Sequence, residues 1–180
     1  MSRAATAFAF ALLLAGCYNP VNEATANRYA QMCREAEADG RLGGAEEACR
    51  RALINVRIGH LGAAAESQAL YNLGRLKRKM QKFNEAEELL KESLKVQETI
   101  SPADQARIGR RLAEIAAVYG QTSRYKDGWP FVQRLMPFPT NYSGQERVFV
   151  KLIFQTYAQE LRKLGMEVEA SQLEENMRSL

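Results

Sequence analysis

From residue 23 onward, apolar residues recur at helical spacing, in two stripes at a time. The clearest stretch runs through Leu70, Leu73, Gly74 and Leu76, then through Phe83, Ala86, Leu89, Leu90 and Leu94, with polar residues between. Such spacing predicts two amphipathic helices joined near Gln81 to Asn84. The joint itself returns along the chain: Gly40 to Ala45, Gln81 to Ala86, Ser123 to Gly128 and Gly165 to Ala170. The small residues closing these copies, Ala45, Ala86, Gly128 and Ala170, are 41, 42 and 42 residues apart. A near-constant spacing in this range predicts stacked supersecondary units rather than one closed globule. The expected fold is therefore all-α, an α-solenoid of about four helical pairs over residues 23–180.

Local signals place the helix starts. Asn84 followed by Glu87 has the spacing of a capping box, Ser101 precedes Pro102 and Asp104, and Ser143 precedes Glu146 by three residues. Small residues recur where paired helices must approach: Gly74 with Ala86, Ala116 with Gly128, and Ala158 with Ala170. The third copy is irregular. Gly128-Trp129-Pro130 is expected to start its second helix and Met136-Pro137-Phe138-Pro139 to end it, leaving about two turns.

The first residues follow a different rule. Arg3 precedes an apolar run of 13 residues, Ala4 to Gly16. Spanning a bilayer takes about 20 apolar residues, so the run reads as a secretory signal. Leu14-Ala15-Gly16-Cys17 resembles the lipobox of bacterial lipoproteins. That resemblance implies cleavage after residue 16, lipid on Cys17, and residues 17–22 as a short tether. Tyr18, where an aspartate favours the inner membrane in such proteins, implies a periplasm-facing protein of the outer membrane, attached through its lipid alone.

Across residues 23–180, Leu73-Gly74, Phe83 and Ala86, then Tyr119, Tyr125 and Leu135, then Tyr157, Ala158 and Ala170 resemble the signature of the tetratricopeptide (TPR) repeat. The spacing exceeds the usual 34 residues by about two helical turns and resembles the long variant of kinesin light chains, which the Leu61-Gly62 link also fits. The resemblance implies a protein-binding scaffold with its ligand groove on the first helix of each pair. A carboxylate clamp found in some relatives is not matched. Asn72 and Arg110 suit it, but Ala30 and Glu114 stand where basic residues would be wanted.

Charge and chemistry narrow the class. The net charge of +4 falls to +3 without Arg3, too mild an excess to argue for nucleic acid. His60 is the sole histidine, and no phosphate-cradling loop, HExxH or CxxC pattern occurs, so no catalytic residue, metal site or cofactor is expected. Cys33 and Cys49 stand eight residues either side of Arg41. On a helical hairpin that places them opposite one another, as a disulfide or as two small buried residues.

Two surfaces are candidates for binding. Arg34, Tyr71, Asn72, Arg75, Arg78, Lys79, Arg110, Gln155, Gln159, Arg162 and Lys163 fall on the polar faces of the first helices. They read either as a basic groove for an acidic extended peptide or as solvated helix surface. Trp129, Phe131, Phe138 and Tyr142 near the irregular copy read either as local core or as an aromatic anchor. The expected function is a noncatalytic adaptor assisting assembly of an envelope complex. The alternatives are a self-assembling or secretin- or pilus-chaperoning lipoprotein, or a binder of peptidoglycan or polysaccharide.

Overall fold

The computed structural model describes residues 18–138 and 143–178. The leader, Cys17, Pro139, Tyr142 and Leu180 lie outside the described residues. Among the described residues there are eight α-helices and no strand: α1 Pro20–Ala38, α2 Leu42–Ile58, α3 Ala63–Lys79, α4 Phe83–Glu98, α5 Gln105–Gln121, α6 Tyr125–Leu135, α7 Gly144–Lys163 and α8 Glu167–Arg178. The chain divides into two compact units, one up to Ala69 and one from Leu70, with the division inside α3.

In the first unit, Asn19 caps α1, its side chain accepting from the Val21 and Asn22 amides at 3.0 and 3.3 Å, and Pro20 fills the first turn. These residues start the helix at 20, three residues earlier than expected. The α1–α2 interface is built from small side chains, among them Ala26, Ala36, Ala45, Ala48 and Ala52, beside Leu53 and Val56. Little apolar area is available in such an interface. A disulfide joins Cys33 to Cys49 across it, with Cα atoms 5.2 Å apart and a sequence separation of 16. Closing a loop of that size contributes about 3 kcal/mol.

The second unit has the larger core, in which Leu90, Leu112, Ile115, Phe154, Tyr157, Leu161 and Leu173 are buried. Each of the four hairpins ends its first helix in the same way. Gly40, Gln81, Ser123 and Gly165 have φ of 75°, 59°, 56° and 76°. The next residue's amide, in Arg41, Lys82, Arg124 and Met166, donates five residues back at 2.8–2.9 Å. This is the Schellman arrangement, which satisfies carbonyls that a helix end leaves open. His60 does the same after α2, with φ of 49° and the Leu61 amide donating to the Val56 carbonyl. The lone histidine is thus a turn residue.

Close approach is enforced at the small residues. A Cβ on Gly74 would lie 2.8 Å from Leu90 Cγ, and one on Gly128 would lie 2.0 Å from the Tyr157 hydroxyl and 2.7 Å from Tyr119 Cβ. Ala86, Ala116, Ala158 and Ala170 are buried as well.

Three local expectations are corrected. The second helix of the third pair is not two turns but eleven residues, starting at Tyr125 and carrying Pro130 inside it. Pro130 is exposed and removes one backbone bond, while the Gly128 amide still donates to the Arg124 carbonyl and the Met136 amide to that of Val132. Asn84 is not a cap, because α4 starts one residue earlier with Lys82 at its cap position and no side-chain cap bond. Ser101 lies in the loop before α5, which Asp104 caps by accepting from the Arg107 amide at 2.9 Å. Ser143 and Glu146 do form the reciprocal capping box of α7.

Gly128→Ala should destabilise the fold by about 3 kcal/mol, because the added methyl displaces the Tyr157 ring from a close-packed site. Gly43→Ala, where nothing lies within 4 Å of the new methyl, should leave stability unchanged or slightly raised. Chemical unfolding of the two variants checks this.

Candidate functional site

The second unit presents a trough along α3, α5 and α7. Its position follows from the core: Leu112, Ile115 and Phe154 turn inward, leaving other faces of α5 and α7 side by side. One hollow of about 360 Å³ is lined by Tyr71, Arg75, Arg110, Glu114, Gln145, Glu146 and Phe149, with Ala113 and Val150. A second, of about 280 Å³, is lined by Arg78, Ala116, Ala117, Gly120, Gln121, Phe149, Leu152, Ile153, Thr156 and Tyr157. Phe149 belongs to both and separates them.

The cations of the trough are held by carboxylates of the neighbouring helix. Arg78 Nε donates to Glu114 Oε2 at 2.6 Å, its Nη1 donates to Gln121 Oε1 at 3.2 Å, and its guanidinium stands 5.6 Å from the Phe149 ring centroid. The side chains of Arg78 and Glu114 are only 18% and 8% exposed, so the pair lies largely out of water. Arg110 donates to Glu146. That hydrogen bond, with burial opposing it and with the Ser143 backbone and side chain assisting, holds the Glu146 carboxyl down to about 2.

Beneath Tyr71 lies Arg111, whose guanidinium sits 5.1 Å from the Tyr71 ring centroid and donates to Ser93 Oγ and the Arg107 carbonyl at 2.8 and 2.9 Å. Burial lowers Arg111 to about 10, still charged at neutral pH. Burial also raises the Tyr71 phenol to about 12, with Glu114 adding to the effect, so Tyr71 acts in the trough as a neutral hydroxyl.

The expected groove therefore needs two corrections. Its residues do not form one surface. Tyr71, Arg75, Arg78 and Arg110 line the trough, and Asn72 is half-buried on the same helix, α3. Arg34 is exposed in the first unit, whereas Gln155, Gln159, Arg162 and Lys163 line a separate hollow beside α8 with Glu174 and Met177. Its net positive character is also reduced, since Glu114 and Glu146 face Arg78 and Arg110, while Arg162 pairs with Glu167 and Glu174 at 3.0 and 2.6 Å. Sequence reasoning missed Phe149, Leu152, Gln121 and Glu146. The signal for the first two was present: Val148, Phe149, Leu152 and Ile153 make α7 apolar over more than one stripe.

The aromatic residues lie elsewhere. Trp129, Phe131 and Phe138 are half-buried and packed against the core, which agrees with the local-core reading and not with that of an aromatic anchor. Phe131 stacks on Tyr119 with ring centroids 5.6 Å apart. Lys91 lies over both rings and Arg124 lies 4.4 Å from the Tyr119 centroid. Glu87 closes this cluster by accepting from Lys91, Tyr119 and Arg124 at 2.7, 2.8 and 2.8 Å. Among the described residues, no group of three or more histidine, cysteine or acidic side chains is arranged to hold a metal ion.

No protein-family model matches the chain, and no curated protein matches it in sequence. Solved structures do. BtubC (BKLC) from P. vanneervenii superposes with a TM-score of 0.74 at 15% identity, over 88% of this chain and 63% of BtubC. The chain thus spans less than two thirds of that protein's length. A Podosopora anserina putative kinesin light chain with nearly identical TPR-like repeats gives 0.64 at 16% identity, over 86% of this chain and 74% of that one. A single-residue variant of the same repeats gives 0.65 at 16% identity, over 86% of this chain and 73% of that one. These likenesses show the fold: the chain is an all-α helical-repeat protein of the TPR-like kind.

The Glu87 cluster makes stability depend on acid. Burial pushes the Glu87 carboxyl up, but hydrogen bonds from Arg124, Lys91 and Tyr119 outweigh it and hold it at about 2, against an ordinary 4.5. The native carboxylate stays charged while the unfolded chain takes up a proton, so its contribution, full above pH 4.5, is lost as pH falls towards 2. Glu87→Gln should lower the melting temperature at pH 7 by several degrees and flatten the acid dependence; thermal melts from pH 7 to 2 measure both.

Proposed function

We propose that this chain is a lipid-anchored, noncatalytic adaptor of the bacterial envelope. It is held at the membrane through Cys17, faces the periplasm, and captures an extended segment of a protein partner in the α3–α5–α7 trough. The observation that carries the reading is the trough itself: two hollows flanking one aromatic ring, on the face that helical-repeat folds commonly use for peptides. The starts of α2, α4, α6 and α8 at Leu42, Phe83, Tyr125 and Glu167 support the long-repeat variant. Among the described residues no helix is long and apolar enough to cross a membrane, and in this reading attachment rests on the lipid at Cys17 alone.

The chemistry of the walls selects the ligand. With Arg78 and Arg110 already answered by Glu114 and Glu146, an acidic peptide gains little that these carboxylates do not already supply. Phe149 and Leu152 offer apolar contact, while Gln121, Gln145 and Thr156 offer hydrogen bonds to a backbone. The favoured partner segment therefore carries apolar side chains at spaced positions. A second copy of the chain is the competing occupant, because Val148 and Leu152 on α7 are 69% and 58% exposed. Packing of Trp129 against the core weighs against polysaccharide binding.

A photo-crosslinking residue at position 152 in intact cells should trap one dominant partner, and Leu152→Glu should reduce its capture about tenfold without unfolding the domain. Unchanged capture would move the site off the trough, and a stable monomeric mass for the delipidated domain would exclude self-assembly. Separately, Cys17→Ser should release the protein from the membrane fraction. Continued membrane association of that variant would refute the anchor.

A further inference from the structure

The two ends of the α1–α2 hairpin differ in chemistry. At one end the turn is polar, with Arg41 and Asp39 paired at 2.8 Å and both exposed. At the other, the start of α1 meets the end of α2: the Asn19 amide donates to the Gly59 carbonyl at 3.0 Å, and Asn22 Nδ2 to Asn55 Oδ1 at 3.4 Å. Here Val21 and Ile58 are 72% and 65% exposed, and Tyr18 is 53% exposed with its hydroxyl donating to Glu23. The cation at this end, Arg57, pairs with Glu66 at 2.8 Å. Two aliphatic side chains and an aromatic one are thus exposed at the same end of the hairpin.

The chain enters the hairpin at this end. Asn19 caps α1, so the tether between Cys17 and the capped helix is Tyr18 alone. Two residues reach at most about 7 Å. An acyl group on Cys17 therefore holds the apolar end of the hairpin against the lipid surface instead of leaving it on a long leash.

We propose that Tyr18, Val21 and Ile58 form a membrane-docking face that sits in the headgroup region of a phospholipid bilayer. Valine and isoleucine reach towards the acyl boundary, and the tyrosine ring takes the mixed environment that aromatic residues occupy at membrane surfaces. The face rests on the lipid-anchor reading of Cys17 and adds to it a fixed footing for the first unit.

The test uses the full-length protein, lipidated in cells and reconstituted into phosphatidylethanolamine–phosphatidylglycerol vesicles. Cys33 and Cys49 are disulfide-bonded, and a lipidated Cys17 has no thiol, so an added cysteine is the only labelling site. Val21→Cys, Ile58→Cys and, at the opposite end of the hairpin, Arg41→Cys each receive an environment-sensitive fluorophore. Spin-labelled lipids should quench positions 21 and 58 at least threefold more than position 41, which lies about 25 Å further along α2. Equal quenching in protein that floats with vesicles and carries its lipid by mass would overturn the docking face and leave the anchor standing. Protein without lipid that stays soluble would overturn both.

Discussion

Everything in the second unit depends on how closely two helices can approach where one has no side chain. At Gly128 the space a Cβ would need is taken by the Tyr157 hydroxyl, 2.0 Å away, and that hydroxyl donates to the Ala116 carbonyl at 2.9 Å. One contact therefore ties α5, α6 and α7 together. The Tyr157 ring also packs edge-to-face with Tyr125 at 5.2 Å between centroids, so the first residue of α6 is fixed by the same side chain. Gly74 plays the corresponding part against Leu90. With the pairs set at these distances, the first helices fall side by side and the trough follows.

The ionic contacts show a second regularity. Arg78 with Glu114, Arg110 with Glu146 and Arg134 with Glu98 are each 36 residues apart, and Arg124 with Glu87 is 37. These pairs join one helical pair to the next, so the surface repeats along with the core. Pairs as exposed as Arg134 and Glu98 contribute little each. Arg78 and Glu114 lie largely out of water, where an unanswered partner would be costly, and they serve chiefly to fix α3 against α5.

Much of the fold was legible in the sequence because it rests on local rules. The four recurring turns read as one motif before their shared left-handed residue was known, and Ser143 with Glu146 announced α7 by spacing alone. Where two local signals competed, the sequence misled. Asn84 and Ser101 both have good capping chemistry, but the Schellman turn at Gln81 already commits Lys82 to the start of α4, and Asp104 stands closer to the apolar stripe of α5 than Ser101 does. Pro130 suggests a helix start because proline is tolerated best in the first turn. Here Tyr125, Gly128 and Val132 bind α6 to the core strongly enough to carry it inside. The trough was half legible: its arginines were visible as a polar face, but their carboxylates lie a whole repeat away, beyond any local window.

That distance also explains what kind of recognition survives. A groove whose arginines are mostly answered by carboxylates of its own chain weakens long-range attraction of charged ligands and keeps shape and apolar contact, which act only at close range. Such a surface binds slowly unless the partner is already nearby. Tethering to a membrane supplies that proximity by raising the effective concentration of anything else confined to the same surface. On the lipid-anchor reading, the trough and the one-residue tether are therefore complementary: the tether provides the encounter, and the paired arginines leave the choice of partner to the contours around Phe149.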